Sequence, residues 1–280
     1  MRAAVAVLLF VGAAATALPA QTLSHYSVSR QFHGEVHLVA GIEFAGGTLH
    51  VAAGAPGSLY AMKVAYDADR FEPVSEWDAG RGAVTLGLAS RKNGAIGVNT
   101  VTAKQDAAIA FSPQADLALS LSLGAAQSVV DFGGLRLASL TLETGASQTE
   151  VRFSRPNAMR CTLAAFRAGA AELTVRSLGN SRCDRVTFEG GVGSVLLDYA
   201  GSWTGDATLD AKLAVGGMTL RIPRSVGVTL STNQFLASFQ PQGFTRQGNT
   251  YTSTNSAAAK RHLDIALNTS LGGVTVEWVD

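Results

Sequence analysis

Residues 161–176 read CTLAAFRAGAAELTVR and residues 183–198 read CDRVTFEGGVGSVLLD, and the second segment repeats the pattern of the first. Both begin with a cysteine and alternate apolar with polar residues, and a glycine follows eight residues later, at Gly169 and Gly191. A period of two is typical of a β-strand that buries one face. The glycine marks a bend between two short strands, because a residue without a side chain lets the backbone turn sharply.

Five copies of this unit follow one another between Leu119 and Ile222. Their bend positions, spaced by 21 to 24 residues, are Gly124, Gly145, Gly169, Gly191 and Ala214. The positions five before, three before and six after each bend are apolar in every copy. Apolar columns that recur in this way predict a continuous core along a stack of rungs. We therefore predict an all-β fold, a solenoid-like (single-stranded β-helix-like) stack of short strands with repeats of about 22 residues.

Two columns of charged residues accompany the apolar ones. The position two before the bend alternates in sign from its second copy onward: Ser122, Glu143, Arg167, Glu189 and Lys212. The position seven after the bend is charged throughout, with one like-charged step: Asp131, Arg152, Arg176, Asp198 and Arg221. Neighbouring strands lie about 4.8 Å apart, so these side chains would meet from rung to rung. We interpret both columns as structural charge ladders rather than as catalytic acids.

The same register predicts a disulfide between Cys161 and Cys183. Each cysteine lies eight residues before a bend, so the two occupy one column of adjacent rungs. A spacing of about 4.8 Å between stacked strands suits the usual Cα separation in disulfides of about 4.4–6.8 Å.

The chain divides into three parts by pattern. Residues 1–20 have a positive Arg2, an apolar run and small residues near Ala20, which predicts a cleaved signal peptide. Residues 21–114 form an N-terminal β region that shares the style of the repeat but not its tight register. Residues 115–280 form the repeat domain, with an insertion at 234–261, and we expect strands at Leu263–Leu267 and Val274–Trp278 to close the fold.

The insertion at 234–261 carries four aromatic residues, Phe235, Phe239, Phe244 and Tyr251. Two interpretations stay open. In the first, the aromatic side chains cap the end of the stack, because terminal rungs must hide their core. Alternatively, they form an interaction patch for a glycan, a peptide or a partner domain.

Composition and motifs exclude several function classes. A net charge of +1 over 280 residues gives no electrostatic basis for binding nucleic acid. We expect no metal site, because His33 and His37 would lie about 13 Å apart along a strand. The chain contains no nucleophile-elbow or phosphate-loop motif, so we expect no catalytic residues and no cofactor. No further stretch of 18 apolar residues follows the signal segment, so we expect no membrane span after cleavage.

Several segments resemble bacterial toast-rack proteins: Leu140–Ser147 (LTLETGAS), Leu178–Asn180, Phe188–Gly193 (FEGGVG), Phe235–Phe239 and Leu271–Trp278 (LGGVTVEW). They are similar to the extracytoplasmic β-repeat domain of LiaF-type envelope-stress regulators and to domains provisionally labelled adhesins. The resemblance implies a stacked-strand fold in the cell envelope and brings no catalytic residues.

These observations predict a non-enzymatic exported protein of the periplasm or extracellular space, acting as an adhesin-like or scaffold module. The expected partner is an envelope protein or a glycan. The alternative is a soluble sensor domain of an envelope-stress pathway, and a carbohydrate-active enzyme is a third hypothesis.

Overall fold

The computed structural model describes residues 23–91, 105–232, 239 and 241–280, and the predicted signal peptide lies outside these residues. Within them the chain forms sixteen β-strands and one short 3-10 helix, Leu178–Ser181. The strands are β1 (Leu23–Gln31), β2 (His37–Ala53), β3 (Ser58–Asp67), β4 (Phe71–Asp78), β5 (Ala83–Ser90), β6 (Asp106–Phe111), β7 (Asp116–Asp131), β8 (Arg136–Thr144), β9 (Gln148–Arg152), β10 (Cys161–Arg176), β11 (Cys183–Asp198), β12 (Ala207–Pro223), β13 (Val226–Thr232), β14 (Phe244–Gln247), β15 (Thr250–Ser253) and β16 (Arg261–Val279).

Each long strand folds back near its middle to make one rung. The 16 residues of β7 would span roughly 53 Å if fully extended, at about 3.3 Å per residue. Residues 132–135 connect β7 to β8, so the Cα atoms of Asp131 and Arg136 lie at most about 18 Å apart. Asp116 at the start of β7 nevertheless pairs with Arg136 at the start of β8. The end of β7 must therefore return close to its beginning.

The rungs stack in parallel in the order β2, β7, β8 with β9, β10, β11, β12 and β16. The register between β10 and β11 passes from Ala168–Gly190 to Ala170–Val192 and skips the bend position between them. The same skip occurs between β11 and β12 at the next bend. The predicted solenoid-like stack of short strands is confirmed, and each pair of predicted short strands is one bent strand or, at β8 and β9, a split one.

The core runs along the inside of the stack, between the two arms of every rung. All residues of the three predicted apolar columns are at most 3% exposed. These are Leu119, Leu140, Ala164, Val186 and Leu209; Leu121, Leu142, Phe166, Phe188 and Ala211; and Val130, Val151, Val175, Leu197 and Leu220. Each buried methylene group contributes about 0.8 kcal/mol to the free energy of folding. This continuous apolar column is therefore the main stabilising feature of the fold.

A second glycine column, two residues after the bend, carries the unusual backbone of the corner. Gly193, Gly216 and Gly272 stack on consecutive rungs and have φ values of +153°, +135° and +140°. A Cβ on Gly216 would lie 1.9 Å from the carbonyl oxygen of Gly193. The backbones therefore approach one another so closely at this corner that only glycine fits.

The N-terminal end differs from the prediction, because β2 is in register with the repeat. From His37 to Val51, β2 pairs with β7, and Ala45 lies beside the bend at Gly124. The long excursion between β2 and β7 interrupts the period, which hides this rung in the sequence. Beyond β2, β5 and β6 pair with its two halves, and β4, β3 and β1 add antiparallel strands outside them.

The prediction that β16 closes the fold is wrong for its first half, whereas its second half pairs with β12 and with no other strand of the described residues. The two expected strands are halves of one bent strand, and the first half lies between β12 and β13. The hairpin of β14 and β15 then extends β13 on its outer side. The order of the strands in the sheet is therefore β12, β16, β13, β15, β14, which differs from their order along the chain. The last strand in the sequence, β16, lies between β12 and β13.

Candidate functional site

The column two residues before the bend forms a continuous row of ion pairs. Arg167 lies between Glu143 and Glu189, with its guanidinium against the Glu143 carboxylate and its Nε 3.6 Å from Glu189 Oε2. Lys212 Nζ lies 3.2 Å from Glu189 Oε1. A shallow groove of about 730 Å³ runs along this face. The structure therefore brings all four charged residues of this predicted ladder together.

The Glu189 carboxylate is not tuned as an acid catalyst. The hydrogen bond from Lys212, together with the nearby Arg167, lowers the pKa of Glu189. A general acid at neutral pH needs a raised pKa, of the kind that burial away from cations gives. The groove thus has the electrostatics of stacked surface pairs.

The column seven residues after the bend is arranged less simply than predicted. Arg221 donates to Glu277 on β16, with Nε 2.8 Å from Oε2. Asp131 Oδ1 instead accepts backbone N–H bonds from Gly133 and Ser154, at 2.8 Å and 3.2 Å. Asp198 Oδ1 accepts in the same way from Ala200, at 2.9 Å. The two aspartates therefore hold the turns that leave their rungs.

Glu150 lies between Arg152 and Arg176, the two like-charged neighbours in this column, and offsets their repulsion. Its two carboxylate oxygens accept bonds from Arg152 Nη2 at 2.7 Å and Arg176 Nε at 2.6 Å. The hydrogen bond from Arg152 and that from Arg176 lower the pKa of Glu150 to about 2, against burial, which raises it. The sequence analysis missed Glu150 because it lies outside the column, two residues before Arg152.

Cys161 and Cys183 form the predicted disulfide at the start of β10 and β11. They face each other directly in the parallel ladder, with Cα atoms 4.1 Å apart. Both residues are buried. The bond therefore fixes the register of two neighbouring rungs at their entry.

The aromatic residues of the insertion pack on the end of the stack. Phe239 and Tyr251 are each only 5% exposed and meet edge to face, with ring centroids 5.1 Å apart. Phe244 is half-buried and stacks on Trp278 at 5.3 Å. Phe235 lies outside the described residues. This geometry favours the cap interpretation for Phe239 and Tyr251, because their rings pack on each other and the Tyr251 hydroxyl already donates to the Phe239 carbonyl oxygen.

A cleft of about 660 Å³ lies between the loops that enter β10, β11 and β12. Its lining includes Arg160, Arg182, Asp184, Tyr199 and Trp203. The sequence analysis assigned no role to these residues, because loops of unequal length fall outside the repeat columns.

One signal for the cleft is present in the sequence. Tyr199 lies eight residues after its bend, where the first two copies have Phe132 and Phe153. All three rings are buried, and Phe132 packs on Phe153 at 5.5 Å. A phenol ring at this position therefore distinguishes this rung from the two that carry Phe132 and Phe153.

The part of the chain that the structure describes has neither a metal-binding cluster nor a membrane-spanning helix. No group of three or more His, Cys, Asp or Glu side chains is arranged to hold a metal ion there. Over the same residues, no helix has the length and apolar character required to span a membrane.

Comparison with known proteins gives one family. The family model described as the N-terminal domain of toast_rack, DUF2154, matches residues 20–176. No protein with a curated description matches.

Two solved structures are similar in outline. A Clostridium sporogenes protein provisionally named for cell adhesion is 13% identical, with a TM-score of 0.48 over 92% of this chain and 100% of that one. A Bacteroides fragilis protein provisionally named an adhesin is 12% identical, with a TM-score of 0.38 over 93% of this chain and 99% of that one.

Proposed function

Because the chain belongs to the toast-rack family, whose N-terminal domain model covers residues 20–176, we propose that it is a non-enzymatic cell-envelope protein. Its role in this proposal is that of an adhesin-like or scaffold module, in which a rigid stack presents loops to a partner. The observation that carries the proposal is the pairing of rung carboxylates with cations along the stack. Such pairing suits a structural surface and does not suit the acid pair of a solenoid hydrolase.

Export to the periplasm or extracellular space is part of the proposal. The Cys161–Cys183 disulfide supports it, since disulfides persist mainly in oxidising compartments. The pattern of residues 1–20 supports it as well.

Export is tested by expressing the full chain in a bacterial host and fractionating the cells. We expect the protein in the periplasm or medium, oxidised at both cysteines and shortened by about 17 to 20 residues, as signal-peptide lengths allow. N-terminal sequencing and non-reducing peptide mapping measure both properties. An exported protein that keeps Met1, or one with two free thiols, would contradict this part of the proposal.

The interaction role is tested with purified mature protein and isolated cell envelopes. We expect saturable binding to the envelopes and no release of reducing ends from envelope polysaccharides. Hydrolysis would replace the scaffold with the enzyme hypothesis. Selective binding to a membrane signalling protein would instead favour the sensor alternative.

A further inference from the structure

We propose that the cleft between the loops entering β10, β11 and β12 binds a neutral saccharide. This inference rests on the proposed interaction role and names the chemistry of the partner. The cleft volume of about 660 Å³ lies within the range of roughly 300–1,000 Å³ that is usual for small-ligand sites.

The first argument is the Tyr199 hydroxyl. Tyr199 is 1% exposed and lines the cleft, and its Oη has no hydrogen-bond partner among the described residues. A buried hydroxyl left in this state destabilises the protein, because it loses its hydrogen bonds to water without a replacement. Phe132 and Phe153 fill the same column on other rungs without that cost. A ligand that hydrogen-bonds the hydroxyl would account for a tyrosine at this one rung.

A second buried polar atom lines the same cleft. Arg182 Nε is also buried without a hydrogen-bond partner among the described residues. Arg182 and Ser177 hold left-handed backbone conformations, with φ of +54° and +59°, on either side of the 3-10 helix. The Arg182 guanidinium and the Tyr199 hydroxyl therefore place two unpartnered polar atoms on residues that line the cleft.

Trp203 supplies the apolar surface of the site. Its Nε1 donates to the Tyr199 carbonyl oxygen at 2.9 Å, and its ring lies 6.0 Å from the Tyr199 ring. This bond fixes the indole orientation and leaves the residue half-buried in the cleft lining. A fixed aromatic face beside polar groups suits the apolar C–H face of a sugar ring, whose hydroxyls then reach the surrounding donors and acceptors.

The charge of the lining selects a neutral ligand. Two cations, Arg160 and Arg182, are balanced by two carboxylates, Asp184 and Asp206. Arg160 Nε lies 2.8 Å from both carboxylate oxygens of Asp184, so this pair is internally neutralised. A phosphorylated or acidic ligand would need an excess of positive charge that the lining does not offer. Carboxylate acceptors and guanidinium donors side by side do fit sugar hydroxyls, which both donate and accept.

The test uses purified mature protein with its disulfide intact. A printed array presents neutral gluco-, manno-, galacto- and N-acetylglucosamine oligosaccharides beside uronic-acid and sulfated ones. We expect binding to a neutral oligosaccharide and not to its acidic counterparts. The best neutral trisaccharide is then titrated by calorimetry against wild type and three variants.

Tyr199→Phe should weaken that affinity about tenfold, the usual effect of losing one hydrogen bond to the ligand. The same variant should leave the melting temperature of the free protein unchanged or raised, because it removes an unpartnered buried hydroxyl. Trp203→Ala should abolish detectable binding. Tyr251→Phe is the matched control on the C-terminal cap, where the hydroxyl donates to the Phe239 carbonyl at 3.4 Å, and it should bind as wild type.

Three results would overturn the inference: no neutral saccharide bound above background, binding confined to acidic glycans, or a Tyr199→Phe variant that binds as wild type. A lower melting temperature for Tyr199→Phe would also count against it, since the hydroxyl would then have a structural partner. If the protein binds cell envelopes but no glycan, the saccharide inference is wrong and the proposed scaffold role is not contradicted. Absence of export would contradict the scaffold role without touching the array result.

Discussion

At the scale of single residues, Gly216 is the position where the stack is most sensitive to an added side chain. Its φ of +135° and the 1.9 Å approach of a Cβ to the Gly193 carbonyl oxygen both exclude a side chain. We expect Gly216→Ala to lower the free energy of unfolding by about 3 kcal/mol, through strain and the shift of the neighbouring rung. Urea unfolding of the mature protein measures this loss.

The adjacent Gly217 provides the control for that experiment. A Cβ there would meet nothing within 4 Å, and the residue is exposed. Gly217→Ala should be neutral or stabilise by about 0.5–1 kcal/mol, since alanine loses less chain entropy on folding. Equal effects of the two substitutions would mean that the corner is not closely packed.

Glu150 makes stability depend on acid pH. Its pKa falls from an ordinary 4.5 to about 2 in the folded protein, so the contribution is fully present above pH 4.5 and disappears as pH falls toward 2. The side chain is 25% exposed, and solvent screening reduces the contribution to about 1–2 kcal/mol. We expect Glu150→Gln to destabilise at pH 6 and to approach wild type at pH 2.5. Urea unfolding at the two pH values checks this, and a pH-independent difference would argue against the Arg152–Glu150–Arg176 arrangement.

At the scale of elements, each rung is held to the next by its ladder of main-chain bonds, its apolar column and its charges. The Glu143–Arg167–Glu189 row spans β8, β10 and β11. Exposed ion pairs contribute little individually to the free energy of unfolding. This row therefore affects the alignment of neighbouring strands more than the total stability.

Reversing the central charge tests the row. Arg167→Glu places three carboxylates in one column, and we expect a lower midpoint of urea unfolding, most clearly at low salt. Adding Glu143→Arg and Glu189→Arg restores alternation with opposite signs and should recover most of the loss. A triple variant no more stable than the single one would show that these side chains do not interact.

The elements also show where sequence reasoning succeeds. The period of apolar residues predicted the core columns and the pairing of Cys161 with Cys183, because both follow from stacking alone. The period could not predict that β2 joins the stack, because residues 54–115, which do not follow the repeat of about 22 residues, separate β2 from β7. Nor could it identify Glu150 or the Tyr199 cleft. Those depend on side-chain reach and on loops whose lengths vary from rung to rung.

At the scale of the whole molecule, an open stack has two ends that must be covered. The antiparallel strands β1, β3 and β4 cover one end, and the β14–β15 hairpin with Phe239 and Tyr251 covers part of the other. An uncovered end would expose core side chains and unpaired strand edges to other copies of the chain.

Removing the Tyr251 ring tests the cap. We expect Tyr251→Ala to lower the free energy of unfolding by about 3–5 kcal/mol, as for other buried aromatic residues, and to promote association that rises with concentration. Tyr251→Phe keeps the ring and should stay close to wild type in both respects. Thermal unfolding and light scattering measure these effects, and a monomeric, stable alanine variant would assign the cap to other residues.

The disulfide between neighbouring rungs also has a mechanical consequence. If the two termini are pulled apart, the rungs should come off the stack one by one, and each adds its length to the extended chain. Cys161 and Cys183 are 22 positions apart, and the bond between them removes this stretch of chain from that length. In optical tweezers, the oxidised protein should therefore extend to a final length roughly 75 Å shorter than the reduced protein, at about 3.3–3.6 Å per residue. A molecule tethered under tension outside a cell would keep this segment closed while the neighbouring rungs yield.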